Sequence, residues 1–104
     1  MAPDMAKIRR EGMRWNLIST LNKFRPYTTA EQRIVEVMQA IYPDTTPMEV
    51  RRELDYLADR KLVTLDKQPA GTWFADLTHY GVDIAEYTCE CYPGIARPAK
   101  YWSE

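Results

Sequence analysis

Apolar and polar positions alternate along this chain with two different periods, and the change of period sets out its elements. Val50, Leu54 and Leu57, continued by Lys61, recur at i, i+4, i+7 and i+11 and predict an amphipathic helix over residues 46–61. Met48, Arg52, Asp55 and Asp59 fall on the opposite face. The start is marked by Thr46 and Glu49 at capping-box spacing, with Pro47 at the first helical position, where its missing N–H costs nothing. Upstream, Met13, Leu17, Leu21 and Phe24, widened by Trp15 and Ile18, predict a helix over residues 4–24, with residues 1–12 left open between helix and frayed end. Pro26 turns Arg25 away from helical geometry and closes it. A second helix follows, with Thr28 or Thr29 as cap, Glu31 or Gln32 completing a capping box, and Ile34, Val37, Met38 and Ile41 as the buried stripe.

After Leu62 the period becomes two. LVTLD and TWFADL are strand-compatible runs around a turn marked by Pro69 and Gly71, with Trp73, Ala75 and Leu77 on one face and Thr72, Phe74 and Asp76 on the other. Trp73 on that face reads as an anchor of the hairpin to the core. Thr78 then caps a short fourth helix carrying Val82, Ile84, Ala85 and Tyr87, in which Gly81 marks close packing. Only Tyr42 to Thr45 separate the second and third helices, the length of a turn that crosses them. The whole is a mainly helical chain with a small two-stranded antiparallel hairpin, in the order of a winged helix-turn-helix: three helices, a β-wing, a short fourth helix and an ordered C-terminal arm. Residues 1–88 form the domain and residues 89–104 the arm. Pro93, Gly94 and Pro98 forbid regular structure there, while Tyr92, Ile95, Tyr101 and Trp102 are too apolar for a free tail. The arm packs either on its own first helix or on a second copy or another protein.

Length and composition narrow this further. One domain of 104 residues buries a core without staples, and 45% apolar with 28% charged residues is ordinary for a folded protein. No apolar run approaches the roughly 20 residues that span a bilayer, and the N-terminus lacks the apolar centre of a secretion signal, so the expected compartment is the cytoplasm. Cys89 and Cys91, with one residue between them, suit a reducing compartment better than a disulfide. The net charge of −1 is unevenly spread. Residues 1–26 carry six cations against two carboxylates, a net +4, leaving −5 for residues 27–104. A basic first helix on an acidic body suits phosphate contacts, or arginines paired with acids elsewhere in the domain.

Chemistry-bearing patterns are few. His79 is the single histidine, Cys89 and Cys91 fall short of a four-ligand zinc set, and neither a phosphate-binding glycine loop nor an activated nucleophile is present. The expectation is a non-enzymatic protein without cofactor, metal site or small-molecule substrate. In a helix-turn-helix the second helix enters the major groove by its N-terminal residues. That places Thr46, Met48, Glu49, Arg51 and Arg52 against double-stranded DNA, Lys67 and Gln68 of the wing on its backbone, and Arg9, Arg10 and Arg14 in support. Asp55, Asp59 and Glu53 oppose a deep insertion, and Arg51 with Asp55 at i, i+4 forms an intrahelical pair.

The run VRRELDYLADRKLVTLD, the hairpin ending in WFADLTHYGVDIAEYT and the tail YPGIARPAKYW resemble the small winged-helix proteins of Mu-like bacteriophages and prophages, from about Trp15 to Trp102. The segment LTHYG also resembles the pattern that follows the wing in bacterial winged-helix regulators. The resemblance implies a winged-helix fold and a phage origin in a bacterial host cell; the recognition helix and wing are less basic here than is usual in such regulators. Two functions follow as expectations: a regulatory DNA-binding protein acting in transcription, or a protein-interaction module of phage assembly or DNA packaging that uses the arm, as a homodimer or with a phage protein.

Overall fold

A computed structural model describes residues 2–100. The elements are α1 (Met5–Phe24), β1 (Thr29–Ala30), α2 (Glu31–Ile41), α3 (Pro47–Asp59), β2 (Val63–Lys67), β3 (Trp73–Leu77) and α4 (His79–Ala85). Four helices pack around one core, with a three-stranded antiparallel sheet at its side. Its strand order is β1-β3-β2.

The sheet corrects the expected two-stranded hairpin. Thr29 and Ala30 pair with Ala75 and Phe74, so Thr29, one of the two residues read as a helix cap, serves with Ala30 as a third strand. Two residues carry no periodicity of their own, and tertiary pairing assigns them. In consequence α2 starts at Glu31, with Ala30 at the N-cap position and no side-chain cap. Its buried stripe is also turned from the expected one: Ile34, Val35 and Met38 are buried with Glu31, whereas Ile41 is exposed.

Asp4 caps α1 by accepting from the Lys7 amide at 3.1 Å, so the helix is formed from Met5 onward. Its core side is Met13, Leu17, Ile18 and Leu21. The Arg25–Pro26 peptide beyond it is cis. Thr46 caps α3 as its spacing predicts, accepting from Glu49 N at 3.2 Å. The helix ends two residues short of Lys61. Lys61 adopts φ 66°, the Leu62 amide donates to Leu57 O and the Lys61 amide to Ala58 O, a Schellman closure built on a lysine where glycine is usual. Lys61 is therefore exposed at a turn and not part of the apolar stripe. Thr78 caps α4, and Tyr87 at φ 63° closes it in the same way. Gly81 lies where this helix crosses the α3–β2 turn. A Cβ there would overlap the Leu62 carbonyl oxygen and press on Leu77.

The arm folds back on the domain. Ile95 is buried in the same core as Met13 and Leu54. The Ala96 amide donates to Glu11 O at 3.1 Å, Arg97 donates to Ile84 O and Cys89 O, and Tyr87 donates to Pro98 O. Of the residues expected to hold a partner, Ile95 is spent on this chain's own core and Tyr92 is exposed, while Tyr101 and Trp102 lie outside the described residues. Among the described residues no helix is long and apolar enough to cross a membrane.

Candidate nucleic-acid interface

The N-terminal half of α3 and the β2–β3 hairpin meet at Trp73. Met48, Arg51, Arg52, Asp55 and Trp73 line a hollow of about 390 Å³ between them. Met48 and Arg52, four residues apart on the outward face, are 73% and 68% exposed. They are the side chains of α3 best placed to touch a ligand.

Arg51 is turned the other way. It grips the Glu31 carboxylate with two N–H groups, donates to Gly71 O at the hairpin tip, and lies over the Trp73 ring at 4.7 Å. The Trp73 amide donates to the same carboxylate at 3.0 Å. Arg51 thereby ties α2, α3 and the hairpin together. Its guanidinium holds the Glu31 carboxyl below its ordinary value against the opposing effect of burial. The expected Arg51–Asp55 pair is not the one formed. Asp55 accepts instead from Lys67 Nζ at 3.0 Å, and that ammonium sits 4.3 Å from the centre of the Trp73 ring. Gln68 donates to Asp66 at 2.6 Å.

The basic residues of α1 are distributed differently from expectation. Arg9 donates twice to Glu49, at 2.7 and 3.0 Å, pairs with Asp44 at 2.9 Å, and lies over Tyr42. The Glu49 carboxylate is thus held by Arg9, so only the threonine half of the capping box is formed by side chains. Arg14 donates to Glu53 at 2.7 Å and to Gly94 O at 3.0 Å. Its guanidinium and that of Arg60 take the Tyr56 ring between them at 3.4 and 3.6 Å. Arg9 and Arg14 are therefore structural cations. Arg10 is half-buried and forms no ion pair among the described residues.

Glu53 corrects the expected acidic face. It is 1% exposed, so the outward carboxylates of α3 are Asp55 and Asp59 alone. One Glu53 oxygen takes Arg14, and the other has no hydrogen-bond partner, with Arg52 Nε 3.8 Å away. Both buried acids carry a sequence signal: Glu31 stands in register with Ile34, Val35 and Met38, and Glu53 with Val50, Leu54 and Leu57. A carboxylate on an apolar stripe announces a buried partner.

His79 is exposed and stacks on Tyr80, and burial pushes the Cys91 thiol up. Among the described residues no three His, Cys, Asp or Glu side chains converge to hold a metal.

Comparison with protein-family models, with curated proteins and with solved structures finds no match to this chain.

Proposed function

We propose that this chain is a winged-helix DNA-binding protein of phage or prophage origin, acting in regulation, with α3 as recognition helix and the β2–β3 hairpin as wing. One observation carries the reading: the exposed Met48 and Arg52 of α3 line a hollow with Trp73, and Lys67 of the hairpin lies over the same Trp73 ring. The element order α1-β1-α2-α3-β2-β3 agrees with it. The contact residues are narrower than charge alone suggests. Arg52 and Lys67 meet phosphates or base edges, Met48 offers an apolar contact to a thymine methyl, and the α3 N-terminus beside Thr46 faces a phosphate. Arg51 holds the wing in place, and Arg9 and Arg14 hold α1 to α3. The Lys67–Asp55 pair is exposed on both sides and is worth at most about 1 kcal/mol, so a phosphate displaces it easily.

The test is fluorescence anisotropy on random-sequence duplex DNA over a salt series. Each copy neutralises roughly two phosphates through Arg52 and Lys67, giving a log–log salt slope of roughly −2 per bound copy. Arg52→Ala with Lys67→Ala is expected to flatten the slope and lower affinity by at least about tenfold, two phosphate contacts being lost. Lys23→Ala, in the last turn of α1, is the control. Undiminished binding by the double variant overturns the site.

A second reading is favoured by the carboxylates of the same face. Asp55, Asp59 and Asp66 are exposed among these cations and leave the surface without strong net charge, which suits a protein partner in phage assembly or DNA packaging. Absence of salt-dependent DNA binding at low ionic strength selects this reading over the first.

A further inference from the structure

The hollow beside Trp73 has a carboxylate among its walls, and that limits what can enter it. Met48, Arg51, Arg52, Asp55 and Trp73 line it. Met48 and Trp73 offer apolar surface, and Arg51 is committed to Glu31 and to Gly71 O. The polar groups left to meet a ligand are Arg52, a donor, and Asp55, an acceptor. Arg52 makes no side-chain hydrogen bond among the described residues, its Nε lying 3.8 Å from Glu53. Asp55 accepts at 3.0 Å from Lys67, in a pair half-exposed on both sides.

We infer that Asp55 reads sequence: on duplex DNA it accepts from the N4 amino group of a cytosine while Arg52 donates to O6 and N7 of the guanine paired with it, so that α3 selects a C·G pair. The inference rests on the DNA-binding reading above and adds a residue that the charge argument counts against it. Arg52 and Asp55 stand three residues apart and share one helix face. In the major groove a C·G pair presents two adjacent acceptors on guanine and one donor on cytosine, the complement of a guanidinium beside a carboxylate. An A·T pair offers Asp55 the adenine amino group but gives the guanidinium no adjacent pair of acceptors. A phosphate in the hollow meets Asp55 as a like charge. Lys67 decides when the carboxylate is available. In the free protein it covers Asp55 while lying 4.3 Å from the centre of the Trp73 ring. When a backbone phosphate takes Lys67, Asp55 is left without a donor unless a base supplies one, and a pair that turns an acceptor toward it is penalised. Exchange at Lys67 thus couples grip on the backbone to reading of the base. On random sequence Arg52 rests on a phosphate, and at the read pair it moves to guanine.

The experiment is selection by the full chain, at low ionic strength, from a duplex library with a random core, followed by sequencing and by anisotropy on the enriched duplex. The parent is expected to enrich a C·G pair whose replacement by A·T weakens binding about tenfold. Asp55→Ala and the near-isosteric Asp55→Asn lose that preference, while their affinity for random-sequence duplex stays at or above the parent's, a like charge having gone. Both substitutions lie at an exposed site, and an unchanged circular dichroism spectrum and Tm show the fold intact. Lys67→Ala keeps the C·G preference at lower affinity, with a salt slope shallower by about one. Retention of the preference by both Asp55 variants, or its loss in Lys67→Ala, overturns the inference and leaves DNA binding standing. Salt-dependent binding by the parent without any base preference does the same. Absence of salt-dependent binding removes the DNA reading itself, and the inference with it.

Discussion

Glu31 shows how one side chain can tie three elements together. Its carboxylate receives Arg51 from α3 and the Trp73 amide from β3, and Arg51 in turn reaches Gly71 at the hairpin tip. Because these donors favour the ionised form, the folded-state value lies below the ordinary 4.5, and the stabilisation is fully present above that value. It is lost as pH falls through the lowered folded value. Glu31→Gln is therefore expected to cost about 2–3 kcal/mol at neutral pH, as for hydrogen bonds to a charged group. Urea denaturation of both proteins at pH 7 and again near pH 2 should show the gap narrowing in acid. A gap independent of pH would assign the cost to packing alone. The same network makes Arg51→Ala a poor probe of ligand contact, since it removes the hairpin's attachment together with a charge.

The starts of α3 and α4 are legible in the sequence, that of α2 is not, and the ends of α3 and α4 are less legible than their starts. Thr46 and Thr78 are followed by the local sequence that satisfies them, and both caps form as their spacing predicts. The ends of α3 and α4 rest on Lys61 and Tyr87 in left-handed backbone, residues that give no glycine signal. β1 is hidden because its two residues gain strand character only through Ala75 and Phe74, more than forty positions away. The candidate site is half legible: exposure of Met48 and Arg52 follows from helical period, whereas the pairings of Arg9, Arg14 and Arg51 join residues 20 to 40 positions apart and follow from tertiary placement. Gly81 is readable as a packing residue, and its role is specific. Gly81→Ala forces a methyl group against the Leu62 carbonyl, and the expected cost is about 1–3 kcal/mol, typical of overpacking. Thermal unfolding followed by circular dichroism should record a lowered Tm. An unchanged Tm would mean that α4 shifts freely on the turn it crosses.

At the scale of the molecule, the arm belongs to the domain. Ile95 fills the core between α1 and α3, and Arg14 joins Glu53 to Gly94 at the same place. Ile95→Ala is expected to cost about 2–5 kcal/mol, the range for emptying a buried aliphatic site. In urea this appears as a lower midpoint with an unchanged m-value, since the native state keeps its extent. A variant with parental stability would show that the arm rests on the domain without supporting it.

The return of residues 94–96 to Glu11 and Arg14 also bears on how the chain is made. Synthesis proceeds from the N-terminus, and domains generally fold as units. Here the first helix is translated early, yet one wall of its pocket arrives some eighty residues later. Until Ile95 leaves the ribosome its place in the core stays open, and Arg14 lacks the Gly94 carbonyl to which it donates. Closure of the core thus waits for residue 95, and a nascent fragment that stalls before the arm would present an incomplete apolar surface to chaperones and proteases.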